Sequence, residues 1–489
     1  MGEIKIGDAP AYYRRYLRVA DAHEGQSGYD GKINTEEEAQ SAVESYCGAN
    51  KTGCEGLLDF LAKAGDFNLS KVRKEIKTEE TKSRIDSLIA ELRNKDEIVR
   101  SRAAEELLVI IKAGVSVDQT YKITTNLMKS LEKTPSVASL ALREIALSNI
   151  HWRITYEIVF DGLIPTALIS KNKNTRDSAA EELVKFVNLN KDNELNQKII
   201  DNLINRASSG NNEGILAVQI LSGIVRSGVS EELTVKIVDS LLERRCLMYE
   251  PNGPRIDTII ELGKIARSKI PQELKVKIIN SLTRSAVQYG NSILAVAIIK
   301  VFSYVASSDG SNDVRSTYVS SVQRLQTVYC RNNGERAALQ TVSVAALGDL
   351  GRVNISQGLR AEIIAIIEDS LSIVSDNTKV QEFAIDQLGM IAGSCGAQDA
   401  SFIRIFERVV RCLGDEKPSI RGSAISALGR IALSSNSQEL RPEIVGYIID
   451  ALGDKDKNVR DSAAVTLNVI LKSDIRMELK AKIEEALKK

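Results

Sequence analysis

A ten-residue phrase recurs along the chain: ELNQKIIDNL from Glu194, ELTVKIVDSL from Glu232, ELKVKIINSL from Glu273, GLRAEIIAII from Gly358, ELRPEIVGYI from Glu439 and ELKAKIEEAL from Glu478. Its leucines (Leu195, Leu233, Leu274, Leu359, Leu440 and Leu479) are 38, 41, 85, 81 and 39 residues apart, one or two steps of roughly 40. A fixed period of this length marks a chain of stacked helical units, in which each unit meets only its neighbours and the core grows along a line. Such a chain escapes the usual limit on the size of a single core, so 489 residues need not mean three globular domains.

Each phrase places apolar residues on one face of a helix, with a polar residue ahead of it to cap the start. After a short polar loop a second phrase follows, clearest from Asp96 (DEIVRSRAAEELLVII), Pro418 (PSIRGSAISALGRIA) and Asp456 (DKNVRDSAAVTLNVI). An aliphatic-Arg pair leads into small residues and then into aliphatics at helical spacing. The pairs Ala103–Ala104, Ala179–Ala180 and Ala463–Ala464 suit places where helices approach closely. This pattern predicts about ten second helices, beginning near Asp96, Pro135, Thr175, Gly214, Arg255, Ser292, Glu335, Lys379, Pro418 and Asn458. A lone final helix, Arg476–Lys489, covers the apolar face of the tenth unit. At about 8–10 Å between packed helices, ten units would form a curved rod on the order of 100 Å long.

These residues resemble HEAT repeats over about Arg84–Lys489. The likeness rests on the two-helix unit, on Asp96 four residues before Arg100 and Asp456 four before Arg460, and on Val-Arg or Ile-Arg leading into Ala-rich helices. Ser139 and Gln381 stand where the second and eighth units should carry Arg, and the fourth to seventh units do not align on an Arg. The resemblance implies an all-α fold, an α-solenoid with the right-handed superhelix of HEAT-type hairpins. It also implies that Arg100, Arg176, Arg421 and Arg460 form an internal ladder with acids of neighbouring repeats. Armadillo repeats, with three helices per unit, are the near alternative, but the short loops leave little room for a third helix.

Residues 1–83 do not follow the period. The domain reading is a helical module over 1–65, a charged helix or hinge over 66–83, and the solenoid over 84–489. Pro10–Ala22 reads as a helix, followed by the Gly-rich loop HEGQSGYDGKIN and a helix opened by Thr35 and Glu38 as a capping box. The second half of that loop looks like the end of an EF-hand calcium loop, with Asp30, Asn34 and Glu37 at the fifth, ninth and twelfth positions and Ile33 placed to pair with a partner loop. Gln26 and Gly28 fall where two acidic ligands belong, and no second loop is present. A degenerate, structural helix-loop-helix and a calcium site are both open readings; no other cofactor is expected.

The 65 basic and 65 acidic residues cancel, whereas a nucleic-acid surface needs a clustered basic excess. Residues 1–83 alone carry 12 basic and 15 acidic side chains. There is no apolar run long enough to span a membrane, Met1–Ala11 does not read as a signal peptide, and six scattered cysteines fit a reducing, cytoplasmic setting. Two histidines, His23 and His151, give little to build catalysis from, and no phosphate loop or zinc spacing occurs. The function expected is a non-enzymatic scaffold or adaptor that holds a protein or peptide along the wall of second helices. A calcium-responsive adaptor is the alternative, and a HEAT-like lyase or DNA glycosylase the third reading. Partner-binding residues are sought where the repeat breaks its own rules: Arg244, Arg245, Met248 and Tyr249, beside Leu247, in the long loop of the fifth unit, and secondarily the loop from Tyr329 (YCRNNGER) in the seventh.

Overall fold

The computed structural model describes residues 4–5, 9–10, 13, 17, 32–33, 35–49, 54–65, 70–148, 151–209, 211–243, 247–249, 253–254, 256–290, 292–308, 311–329, 336–372, 377–396, 399–434 and 437–488. Helices dominate. The only strands among the described residues are two short pairs, β1 (Ile4–Lys5) with β2 (Lys32–Ile33) and β3 (Met248–Tyr249) with β4 (Gly253–Pro254), both antiparallel. The chain divides into two compact units, Met1–Glu182 and Leu183–Lys489.

The first unit opens with α1 (Glu36–Ala49) and α2 (Cys54–Gly65). These helices enclose a small core of Ala9, Tyr13, Leu17, Ile33, Val43, Leu57, Leu58 and Leu61, into which the edge of Tyr46 packs against the Tyr13 ring at 5.3 Å. Thr35 and Glu38 form the expected reciprocal cap, each backbone N–H donating to the other side chain at 3.1 Å. Helix α3 (Ser70–Glu91) runs through residue 83, so the charged segment is helical from residue 70 on and continuous with the first hairpin. Three hairpins begin in this unit: α3 with α4 (Glu97–Ala113); α5 (Val117–Ser130) with α6 (Pro135–Leu147); and a third whose first helix has three parts. Those parts are α7 (Trp152–Glu157), a π-helical segment (Ile158–Leu163) and α8 (Ile164–Ile169), and α9 (Lys173–Leu189) is their partner. His151 caps α7, its ring nitrogen accepting from the Arg153 backbone N–H at 3.2 Å.

The second unit continues with α10 (Asn193–Ala207) and α11 (Asn212–Arg226), α12 (Glu231–Leu241) and α13 (Ile256–Ala266), α14 (Gln272–Tyr289) and α15 (Ser292–Ser308), and α16 (Asn312–Tyr329) and α17 (Arg336–Gly351). Then come α18 (Gln357–Ser372) and α19 (Thr378–Ser394), α20 (Ala400–Cys412) and α21 (Pro418–Leu433), α22 (Arg441–Asp450) and α23 (Lys457–Leu471), and the lone α24 (Met477–Ala486). Each of the ten second helices starts within two residues of its expected position. The phrase helices form as their pattern demands: Ile199, Ile200, Ile237, Val238, Ile278, Ile279, Ile363 and Ile364 are all fully buried. Each such side chain contributes about 1.5–3 kcal/mol relative to exposure.

Successive second helices meet at glycines. A side-chain carbon on Gly389 of α19 would lie 2.8 Å from Ala427 Cβ and 2.9 Å from its Cα on α21, and one on Gly351 of α17 would lie 2.8 Å from the Ile391 side chain on α19. Gly263, Gly348 and Gly429 meet the following second helix in the same way, at Val301, Gln387 and Thr466. Gly389→Ala therefore forces backbone apart, and overpacking of about 1–3 kcal/mol outweighs a helix-propensity gain of about 1 kcal/mol. Gly446, inside α22, has open space around it. Denaturant unfolding should show Gly389→Ala to be destabilising and Gly446→Ala to be stabilising by about 0.5–1 kcal/mol; equal effects at the two positions would contradict close packing at Gly389.

Candidate functional site

The loop inside a hairpin is built the same way four times. Before α4, the Asp96 N–H donates to Asn94 Oδ1 and the Ile98 N–H to Asp96 Oδ1, both at 2.9 Å, while Arg100 Nη1 donates to the carbonyls of Asn94 and Lys95 at 2.8 Å each. Arg176 grips the carbonyls of Ser170 and Lys171, Arg421 those of Asp415 and Glu416, and Arg460 those of Asp454 and Lys455. The arginine thus stands six and five residues beyond the two carbonyls it satisfies. The expected ladder of arginines with acids is corrected to this: of the four, only Arg421 forms an ion pair among those described, with Asp454 Oδ1 and Oδ2 at 2.7 and 2.8 Å. Arg100 instead reaches the carbonyl of Lys133 in the next hairpin at 3.0 Å.

A second arginine set lies on first helices, where the sequence reading did not look. Arg315 donates to the carbonyls of Ala306 and Asn354, Arg441 to those of Ala432 and Asp474, and Arg360 to Asp399 Oδ2 at 2.9 Å. In each case one guanidinium joins adjacent repeats, because it has more donors than a single loop can use. Hydrogen bonding from Arg421 holds the Asp454 carboxyl below its usual range. For Asp399, burial works in the opposite direction but is outweighed by the Ser401 N–H and hydroxyl and by Arg360, so that its pKa too is lowered.

At four steps between consecutive first helices, two of them within the recurring phrase, a basic residue reaches back to an acid of the preceding first helix. Lys236 meets Asp201 at 2.7 Å, Lys277 meets Asp239 at 2.6 Å, Arg404 meets Glu368 at 3.0 Å and Lys122 meets Asp86. Between α20 and α22 the pattern changes sign. Glu443 occupies the basic position of its phrase, and the residue 36 positions earlier is Glu407, the same interval that separates Asp86 from Lys122 and Glu368 from Arg404.

At this break lies a cavity of about 470 Å³, lined by Phe402, Ile403, Phe406, Val410, Leu440 and Tyr447, with Glu407, Glu439 and Glu443 as its charged residues. The Phe406 and Tyr447 rings meet edge to face at 6.3 Å, and Phe402 stacks behind Phe406 at 6.3 Å. Ile403 is 48% exposed, a large apolar side chain presented to solvent at the mouth. Tyr447 and Val410 also line a second cavity of about 380 Å³, whose wall includes the Arg421–Asp454 pair. This is an apolar, aromatic groove with acidic edges, the general make-up of a binding site.

The residues singled out from sequence fare differently. Asp30, Asn34, Arg244 and Arg245 lie outside the described residues, as does most of the loop from Tyr329. Glu37 is exposed in the first turn of α1. Ile33 pairs with Ile4 across β1 and β2, not with a second loop of its kind. Met248 and Tyr249 form β3, and their side chains lie outside the description; their neighbour Leu247 is fully buried, so it is a core residue and not part of an exposed surface. Tyr329 is likewise a core residue, its hydroxyl donating to the Ala286 carbonyl at 2.6 Å. Among the described residues there is no group of three or more potential metal ligands, and no helix is long and apolar enough to cross a membrane.

Two-helix hairpins of this period, closed by arginine-held loops and packed through their second helices, define a HEAT-type α-solenoid. No protein-family profile and no curated protein matches the chain. Among solved structures it is similar to Kap121p bound to Pho4p, at 14% identity over 98% of this chain and 47% of that one, with a TM-score of 0.54. It is similar also to Kap121p bound to Nup53p, at 14% identity over 92% and 46%, with a TM-score of 0.52. The chain spans about half the length of these Kap121p chains, and the likeness is one of fold.

Because the Asp454 pKa is depressed in the folded state, its pairing stabilises fully above the unfolded value of about 4 and is lost as pH falls through the lower folded value. Urea midpoints of the native chain and Asp454→Asn should stay apart above about pH 5 and converge on acidification. Parallel curves down to the lowest pH would mean that the pair does not stabilise the fold.

Proposed function

We propose that this protein is a non-enzymatic scaffold that binds a protein or peptide partner, and that the groove between α20 and α22 is its docking surface. The observation that carries this reading is the juxtaposition of half-buried Phe406 and Tyr447 with exposed Ile403 in one open cavity. Aromatic anchors in a pocket edged by polar groups are the usual centre of a protein interface. The Kap121p structures, with Pho4p and Nup53p as bound proteins, support a protein-binding role for a solenoid of this kind. The reading differs from the sequence expectation in the wall it uses. Second helices close on one another through glycines and leave little room between them, whereas the first helices part at α20 and α22.

A calcium-responsive adaptor is a second reading, and it rests on the sequence of the Gly-rich loop, since Ile33 pairs with Ile4 and not with a second calcium loop. Its ligands would be Asp30, Asn34 and Glu37. Calorimetric titration of calcium into the full chain should give saturable heat that Glu37→Gln removes; no heat at millimolar calcium rejects it.

Ile403→Glu places a charge at the groove mouth, and Val465→Glu places one on the exposed face of α23, where Val465 is 64% exposed. Partners captured by the full chain from its native lysate should be lost with Ile403→Glu and retained with Val465→Glu. The reverse pattern would move the docking surface to the second helices.

A further inference from the structure

We infer that the groove between α20 and α22 recognises an Arg- or Lys-containing peptide of a partner protein, whose basic side chain takes the place that the chain's own lysine holds elsewhere in the ladder. This rests on the protein-binding reading and names the partner's chemistry.

The argument begins with the period. At Asp201–Lys236 and Asp239–Lys277, the phrase supplies both ends of an ion pair between consecutive first helices, and Arg404–Glu368 repeats it one hairpin before the groove. At the next step, the acid persists as Glu407 but the base is replaced by Glu443. Both carboxylates line one cavity, joined by Glu439, and no Lys or Arg is among the lining residues. Two nearby arginines already have partners: Arg404 pairs with Glu368, and Arg411 pairs with Glu407 itself along the helix surface at 3.4 Å, with side chains 69% and 58% exposed. An exposed pair of that kind exchanges readily with solvent and with competing ions.

Two like charges at an interface position favour a partner of opposite sign and disfavour an acidic one. The aromatic floor adds to the selection. Phe406 and Tyr447 offer ring surface to a guanidinium or ammonium group, and the hydrocarbon stem of Arg or Lys suits the apolar wall of Phe402, Val410 and Leu440. Both aromatic rings are half-buried, so they can be approached from outside. In the eighth hairpin Glu362 also takes the basic position, but the corresponding acid position of the preceding phrase is Ser320, so no second doubled acid arises there.

Glu443→Lys restores the missing rung, and it gives the test two independent readouts. A short fluorescein-labelled peptide with a Leu-Arg-Arg-Leu core, and its Leu-Glu-Glu-Leu counterpart, are titrated with the full chain while anisotropy is followed. The arginine peptide should bind and the glutamate peptide should not, with binding weakened by added salt. Glu443→Lys should weaken the arginine peptide about tenfold or more while raising the thermal midpoint, since position 443 is exposed and the introduced ammonium gains Glu407 as a partner. Equal binding to Glu443→Lys and the native chain overturns the inference, as does binding of neither peptide. If Ile403→Glu still abolishes partner capture while the arginine peptide fails to bind, the protein-binding reading stands and this inference falls. If Ile403→Glu leaves capture unchanged, the reading itself falls.

Discussion

The contact of Gly389 with Ala427, where a single added carbon would lie 2.8 Å from its neighbour, shows the constraint on which the rest of the second unit depends. Helices that close need a surface of small residues, and Gly263, Gly348, Gly351 and Gly429 supply it at other second-helix junctions. Fully buried Ala103, Ala179 and Ala463 act in the same sense on α4, α9 and α23. With the second helices drawn together, the phrase isoleucines are enclosed, and the groove of Phe406 and Tyr447 opens between first helices.

Loops are the other requirement. A solenoid has many helix ends, each leaving backbone groups without an intrahelical partner. This chain solves the problem by repetition: an Asx or Ser turn at the loop start and an arginine returning to its first two carbonyls. Where that arginine also reaches the next hairpin, as Arg421 does to Asp454, the loop becomes an inter-repeat joint. Stability in such a chain is a sum of units and neighbouring interfaces. One interface can therefore be given over to binding without undoing the others, and the Glu407–Glu443 step is where two acids occupy the positions that form an ion pair between α18 and α20.

Much of the architecture was legible. The roughly 40-residue period and the i, i+4, i+8 pattern reflect burial directly, which is why every second helix starts close to its expected residue. Thr35 and Glu38 were readable as a cap because both partners are side chains. The arginines were misjudged in partner: a backbone carbonyl is present at every residue, so no residue type announces that Arg100 will bind Asn94 and Lys95. Leu247 and Tyr329, taken from sequence as parts of exposed loops, lie in the core, because loop composition does not reveal which side chain turns inward. The groove had a signal that was overlooked. The phrase itself has Glu443 where Lys198, Lys236 and Lys277 stand, and Leu-Gly recurs at Leu262, Leu347, Leu388 and Leu428, each glycine at a junction between second helices.

The central claim is that binding occurs where the ladder breaks, on first helices α20 and α22, and not on the wall of second helices. Amide hydrogen exchange of the full chain, with and without the arginine peptide, measures this directly. Added protection is expected in peptides covering 402–410 and 439–447, with little change over 457–471. Protection confined to the second helices, or none at 402–410 and 439–447 under saturating peptide, would contradict it.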